Sequence, residues 1–224
     1  MRCKSITFFL NFGIEFKLFD NIFCITFDNI LIMRNIAIFA SGSGTNAENI
    51  IRHFENSNLA KVRIVLCNKP DAFVFERAKR LGVEAVAFNR QQFNSGEVLK
   101  MLRDAQTDYV ILAGFLWLMP QDILKEYEGR VINVHPALLP NYGGKGMYGD
   151  NVHKAVVAAG EKFSGITVHL VNEHYDSGDI LLQATVALVE GETPDSLAQK
   201  IHRLEYAYFP IVAETEIKRI FYSE

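Results

Sequence analysis

The sequence predicts an α/β protein: a doubly wound, mostly parallel sheet with helices on both faces. Three observations predict it. From residue 33 onward, short apolar runs rich in branched and aromatic residues alternate with segments of helical spacing. Glycines such as Gly82 and Gly129 punctuate the ends of the helical segments. The run Tyr109-Val110-Ile111-Leu112-Ala113 is apolar throughout, as a central parallel strand is when helices cover both its faces.

In order, residues 36–40 read as a buried strand that ends in a glycine-rich turn, and 46–54 as a helix. Residues 62–66 are a second strand. Residues 72–81 are a helix stopped by Gly82, with Lys69-Pro70-Asp71-Ala72 at its start. Residues 83–88 form a third strand and 97–105 a helix. Residues 109–113 form the fourth strand. Pro120 suits the first turn of a helix to Tyr127, and 131–134 form the fifth strand. The tail changes character. Residues 165–171 and 180–188 read as two more strands around a polar turn, 172–179, and Pro194 opens a final amphipathic helix to about residue 220. His153 falls on a helix ahead of them. Without an evident linker, residues 33–224 read as one domain.

Residues 1–32 differ from the rest. They hold seven of the 17 phenylalanines. Arg2 and Lys4 precede an apolar stretch, but Asn11 interrupts it, Glu15, Lys17 and Asp20 follow, and no small-residue cleavage site is evident. No run reaches the roughly 18–20 apolar residues that span a bilayer. The segment reads as an upstream extension with the functional chain starting at Met33, as an element packed on the domain, or as a membrane-surface segment.

Composition narrows the function classes. A formal net charge of −3 offers no basic field for nucleic acid. Cys3, Cys24 and Cys67 are too few and scattered for a disulfide framework or thiolate metal site, which suits a reducing cytoplasm. No H-E-x-x-H or paired cysteine motif is present, and the histidines lack metal-ligand spacing, so no metal is expected.

Three segments carry candidate chemistry. Ser41-Gly42-Ser43-Gly44-Thr45-Asn46 follows a strand and opens a helix, so converging amides and the helix end suit a phosphate. With Ala47 it also fits the loose dinucleotide pattern G-x-G-x-x-A, but the expected acidic residue about 20 positions on is missing at Cys67-Asn68-Lys69. A tight turn without ligand is the third reading. Asn133-Val134-His135-Pro136 closes the fifth strand. Strand alternation puts Asn133 and His135 on one side, where amide and imidazole can both donate to one oxyanion; a histidine satisfied by backbone is the structural alternative. Asp176, in the turn Asp176-Ser177-Gly178-Asp179, is a carboxylate that would orient His135 and favour its charged form if the two meet.

Asn133-Val134-His135-Pro136-Ala137-Leu138-Leu139-Pro140, Gly165-Ile166-Thr167-Val168-His169 and Tyr175-Asp176-Ser177-Gly178-Asp179, in that order, resemble the glycinamide ribonucleotide transformylase family of folate-dependent formyltransferases. The resemblance runs from Met33 to about Arg219 and implies a formyltransferase-like Rossmann architecture. It implies that Asn133, His135 and Asp176 form the catalytic set, and that Gly42, Ser43, Gly44, Thr45 and Asn46 hold the substrate phosphate. Glu205 would meet the ribose. Leu116, Trp117, Leu118 and Met119, with Asn172 and the turn to Asp176, would line the pterin pocket. The implied co-substrate is 10-formyltetrahydrofolate, the acceptor glycinamide ribonucleotide, and the protein a cytoplasmic monomer or homodimer without nucleic-acid or membrane partners. Similar methionyl-tRNA formyltransferases add an RNA-binding domain. Deformylases carry a regulatory domain and usually a second histidine where Pro136 stands. The phosphate turn favours the ribonucleotide enzyme, and a non-catalytic nucleotide-binding module is the rival from another class. Four features depart from the family pattern: Trp117 where arginine is common, Asn141 for lysine, the glycine-rich segment 145–150, and His202 for glutamine. Lys145 is positioned in sequence to replace the charge missing at Asn141, a solvated loop lysine being the alternative.

Overall fold

The computed structural model describes residues 32–223 and, within 1–31, the backbone of three strands. The chain divides into two compact units, Met1–Met33 and Arg34–Glu224. In the first unit, β1 (Thr7–Leu10), β2 (Ile14–Phe19) and β3 (Ile22–Phe27) form an antiparallel meander in which Phe8 pairs with Phe16 and Phe16 with Ile25. Cys3 and the Arg2/Lys4 flank lie outside the described residues.

The second unit is a seven-stranded sheet. Its strands are β4 (Arg34–Ala40), β5 (Ala60–Cys67), β6 (Glu84–Ala87), β7 (Tyr109–Leu112), β8 (Val131–His135), β9 (Phe163–Leu170) and β10 (Ile180–Ala187). Their order is β10-β9-β8-β7-β4-β5-β6, parallel from β8 through β6 and antiparallel at β9 and β10. The chain starts at β4, winds outward through β5 and β6, then returns to place β7 on the other side of β4. That reversal opens a crevice between the loops after β4 and β7, the place where doubly wound sheets bind ligands.

Two-sided burial explains why β4 reads as a continuous apolar run. Ile36, Ile38 and Ala40 enter one core layer, with Ile50 and Phe54 of α1 (Thr45–Phe54), Val152 and Val156 of α6 (Asp150–Ala158), and Phe209 and Ile217 of α7 (Pro194–Phe221). Ala37 and Phe39 enter the other, with Phe93 of α3 (Arg90–Asn94), Leu102 of α4 (Glu97–Asp104) and Ile123 of α5 (Gln121–Glu126). Phe39 is fully buried against Phe88, Phe93 and Phe115, and truncating it to alanine would cost about 3–5 kcal/mol.

The sheet and helices match the architecture the pattern predicts, with differences at edges. The helix expected over 72–81 begins later, as α2 (Val74–Arg80). Pro120 caps α5 instead of entering it. The capping box of Asn89 and Gln92 builds the short α3, which the apolar periodicity does not show. α7 starts at a second capping box, Thr193 with Ser196, and runs 28 residues through Pro210. Proline has no N–H for the Tyr206 carbonyl four residues earlier. Asn49 Nδ2 donates to that carbonyl at 2.9 Å and supplies the missing partner. Next to it, Asn46 Nδ2 donates to Glu205 at 2.8 Å, so two amides of α1 fix α7.

Candidate active site

The main cleft, about 900 Å³, opens at the switch point and is lined by residues 41–46 after β4, 113–116 after β7, 133–136 at the end of β8, and Asp176. Ser41 N–H donates to the Gly114 carbonyl at 3.2 Å, and Ser41 Oγ accepts from the Leu116 N–H at 3.1 Å, which ties the two loops together. Gly42, Ser43, Gly44, Thr45 and Asn46 all face this cleft, as does Glu205. Gly44 takes φ +76°, and a Cβ there would sit 2.9 Å from Val74 Cα, so only glycine lets α2 approach the turn. Gly42 has open space at the same test. Thr45 and Asn46 start α1, where N–H groups lack helical partners and the helix end is electropositive. Behind the turn, Arg77 donates through Nε to the Ser43 carbonyl at 2.8 Å and pairs with Glu48.

The structure brings Asn133, His135 and Asp176 together. His135 Nδ1 lies 3.5 Å from Asp176 Oδ2, and Gly144 N–H donates to that same oxygen at 2.9 Å. Close approach of the two loops requires Gly143, because a Cβ there would meet Leu139 Cδ2 at 2.6 Å and Asp176 Cβ at 3.3 Å. Asn133 is oriented by His169. Nδ1–H of that ring donates to the Leu170 carbonyl at 2.8 Å, which leaves Nε2 to accept from Asn133 Nδ2 at 3.1 Å. His169 Nε2 also lies 3.7 Å from Asp176. Register explains the grouping: Asn133 pairs with His169 across β8 and β9.

His135 does not point a free donor into the cleft. Its Nε2–H donates to the Tyr142 carbonyl at 2.8 Å. Burial pushes its pKa below the usual imidazole value despite Asp176 and the Tyr142 carbonyl, both of which pull it upward. Both ring nitrogens face oxygen, an arrangement the imidazolium satisfies. Asp176 goes the other way. Burial alone would raise it, but His169, His135 and the Gly144 N–H together hold the carboxyl below the usual range.

A second, apolar niche of about 50 Å³ adjoins the cleft and shares Phe115, Asn133, Tyr175 and Asp176 with it. Trp117, Leu118 and Met119 line this niche, whereas Leu116 lines the main cleft. Asn172 lines neither. Its Oδ1 accepts from His174 N–H at 2.9 Å and Ser177 Oγ at 3.0 Å, so it shapes the turn that carries Asp176 and is not a pocket residue. Trp117 packs with Phe88, Phe93 and Phe115, and the Arg90 guanidinium covers its ring at 3.5 Å. Lys145 and His202 also line the main cleft. Tyr142 was not evident from sequence, since it acts through its carbonyl, and no side-chain pattern marks that. Among the described residues, no group of three or more His, Cys, Asp or Glu is placed to hold a metal ion, and no helix is long and apolar enough to cross a membrane. The one cysteine among the fully described residues, Cys67, is buried, and burial raises its thiol.

Fold and cleft together define an α/β enzyme that sets two adjoining ligand spaces against one polar cluster. The chain belongs to the formyl transferase family, whose model matches residues 34–213. It is 34% identical over 186 residues to phosphoribosylglycinamide formyltransferase of Bacillus subtilis (strain 168), covering 80% of this chain and 93% of that one. It is 35% identical over 196 residues to the chloroplastic phosphoribosylglycinamide formyltransferase of Arabidopsis thaliana, covering 83% of this chain and 67% of that protein. The structure is similar to glycinamide ribonucleotide transformylase 1 from Geobacillus kaustophilus, with a TM-score of 0.75 at 34% identity over 83% of this chain and all of that one.

Proposed function

We propose that this protein transfers a formyl group from 10-formyltetrahydrofolate to the amine of glycinamide ribonucleotide, with Asn133, His135 and Asp176 as the catalytic set. The observation that carries this reading is the meeting of two ligand spaces at Asn133 and Asp176. The main cleft, with its electropositive glycine turn and Glu205, suits the ribonucleotide. Trp117, Leu118 and Met119, which line the small niche beside Asn133 and Asp176, are the residues that the resemblance assigns to the pterin. The relatives' names supply the reaction.

In this mechanism the substrate amine attacks the formyl carbon, a C–N bond forms and the carbonyl electron pair moves onto oxygen. The free N–H of the Asn133 amide donates to that oxyanion. His135, entering the step as the imidazolium, exchanges the Tyr142 carbonyl for that oxyanion and donates to it. Asp176 holds the ring and stabilises the imidazolium. The proton lost by the attacking amine passes, through water, to the folate nitrogen as its C–N bond breaks. No covalent enzyme intermediate is needed.

The same reading takes residues 33–224 as the functional domain, residues 1–32 as a dispensable extension, and the protein as a cytoplasmic monomer or homodimer that uses no metal and binds neither nucleic acid nor membrane. Incubation with labelled formyl folate and glycinamide ribonucleotide tests it. Labelled formylated ribonucleotide is expected; labelled formate alone would assign a deformylase, and no product would assign a binding module.

A further inference from the structure

His153 is a polar group that neither the fold nor the mechanism above uses. It lies in the first turns of α6, is 3% exposed, and lines the main cleft. Neither ring nitrogen has a hydrogen-bond partner within the protein, and Nδ1 is shut off from solvent. A buried polar group without a partner is destabilising by about 1–3 kcal/mol, so folding alone does not account for an imidazole here. A hydrophobic side chain would fill the same space without that penalty.

The surroundings show which part of the cleft it serves. The charged and titratable groups acting on His153 are His202, Asp150 and His135. His202 lies one turn before Glu205 on α7, and Glu205 accepts from Asn46 of the glycine turn. His135 belongs to the polar cluster. His153 therefore lies in the wall of the main cleft, near His202 and His135, and does not line the niche assigned to the pterin. Burial pushes the ring's pKa below its usual value, and an imidazole can both donate and accept a hydrogen bond.

We propose that His153 is a specificity-determining substrate residue that forms a hydrogen bond with a polar group of the ribonucleotide, between its phosphate and its reacting amine. The inference rests on the formyl-transfer reading. Nε2, the ring nitrogen that is not shut off from solvent, is the one a ligand in the cleft can reach.

The test is His153→Phe, which keeps the ring shape and removes both nitrogens, with His153→Gln restoring a hydrogen-bonding group. Direct binding of glycinamide ribonucleotide, steady-state kinetics and melting temperature are measured on the full chain. Expected for His153→Phe are roughly tenfold weaker ribonucleotide binding, an unchanged KM for formyl folate, and a melting temperature equal to or above wild type. His153→Gln should recover part of the affinity. Unchanged ribonucleotide binding in His153→Phe, or a melting temperature that drops with binding intact in the folded fraction, would overturn the proposal by showing the imidazole to be structural. If wild type itself neither binds the ribonucleotide nor forms product, the formyl-transfer reading fails instead, and the two failures are told apart by that control.

Discussion

Asp176→Asn isolates charge from shape. The carboxylate accepts the Gly144 N–H and faces two imidazoles at 3.5 and 3.7 Å, so the substitution keeps an acceptor oxygen and removes the negative charge both rings face. A hydrogen bond to a charged group is worth about 1.5–3 kcal/mol, and the amide retains part of it. The loss in stability should thus stay below about 3 kcal/mol, a fall in melting temperature of up to roughly 10 °C for a domain of this size. Turnover should fall far more, by roughly 10²–10⁴-fold, because the charge supports a proton carrier in the transition state. The pH profile of the residual activity supplies the sign. Burial already lowers His135, and Asp176 opposes that effect, so its removal lowers His135 further and moves the high-pH limb of the profile, where the imidazolium is lost, to lower pH. Stopped-assay rates from pH 5 to 9 alongside thermal melts measure both quantities. Near wild-type turnover, or a high-pH limb displaced to higher pH, would refute the coupling between Asp176 and His135.

Four further outcomes follow from the same geometry. Gly42→Ala should raise the KM for the ribonucleotide with little change in stability, since no protein atom lies within 4 Å of the added carbon; a raised folate KM would assign the turn to the other ligand. Gly44→Val should instead lower the melting temperature through its positive φ and the collision with Val74, whatever it does to substrate. Stability should fall on acidification in two stages. Below the usual imidazole range the unfolded chain protonates before the depressed His135 does, and nearer pH 4 the depressed Asp176 adds its own loss, which Asp176→Asn should abolish in a pH-melting series. Deleting residues 1–32 should leave activity and melting temperature of the remaining domain unchanged, and a large drop in melting would show that the segment supports it.

Much of the fold was legible because doubly wound sheets write themselves plainly into sequence. Strands buried on two faces, such as Ile36-Ala37-Ile38-Phe39, leave runs that no amphipathic helix produces. α3 escaped because its five residues are stabilised by a local capping box, which carries no apolar period. α7 runs through Pro210, as the amphipathic pattern from Pro194 to about residue 220 predicts; what the pattern does not show is that Asn49, 161 positions from Pro210 in sequence, donates to the carbonyl that the proline leaves without a partner. The grouping of Asn133, His135 and Asp176 was legible only by resemblance. Periodicity places two of them on one strand, but the return of the 172–179 turn to that strand depends on the antiparallel pairing of β8 with β9. The state of His135 was not legible, since it depends on burial and on a backbone carbonyl at Tyr142. Asn172 shows the converse: a polar residue in the right segment, spent on the turn itself.

The central claim is that this polar cluster performs formyl transfer, and His135→Ala tests it most directly. Turnover is measured at saturating formyl folate and ribonucleotide, with the binding of each substrate measured separately. His135 acts on the transition state, so binding should be largely kept while turnover falls by roughly 10²–10⁴-fold. Turnover within a few-fold of wild type, with both substrates bound, would contradict the account.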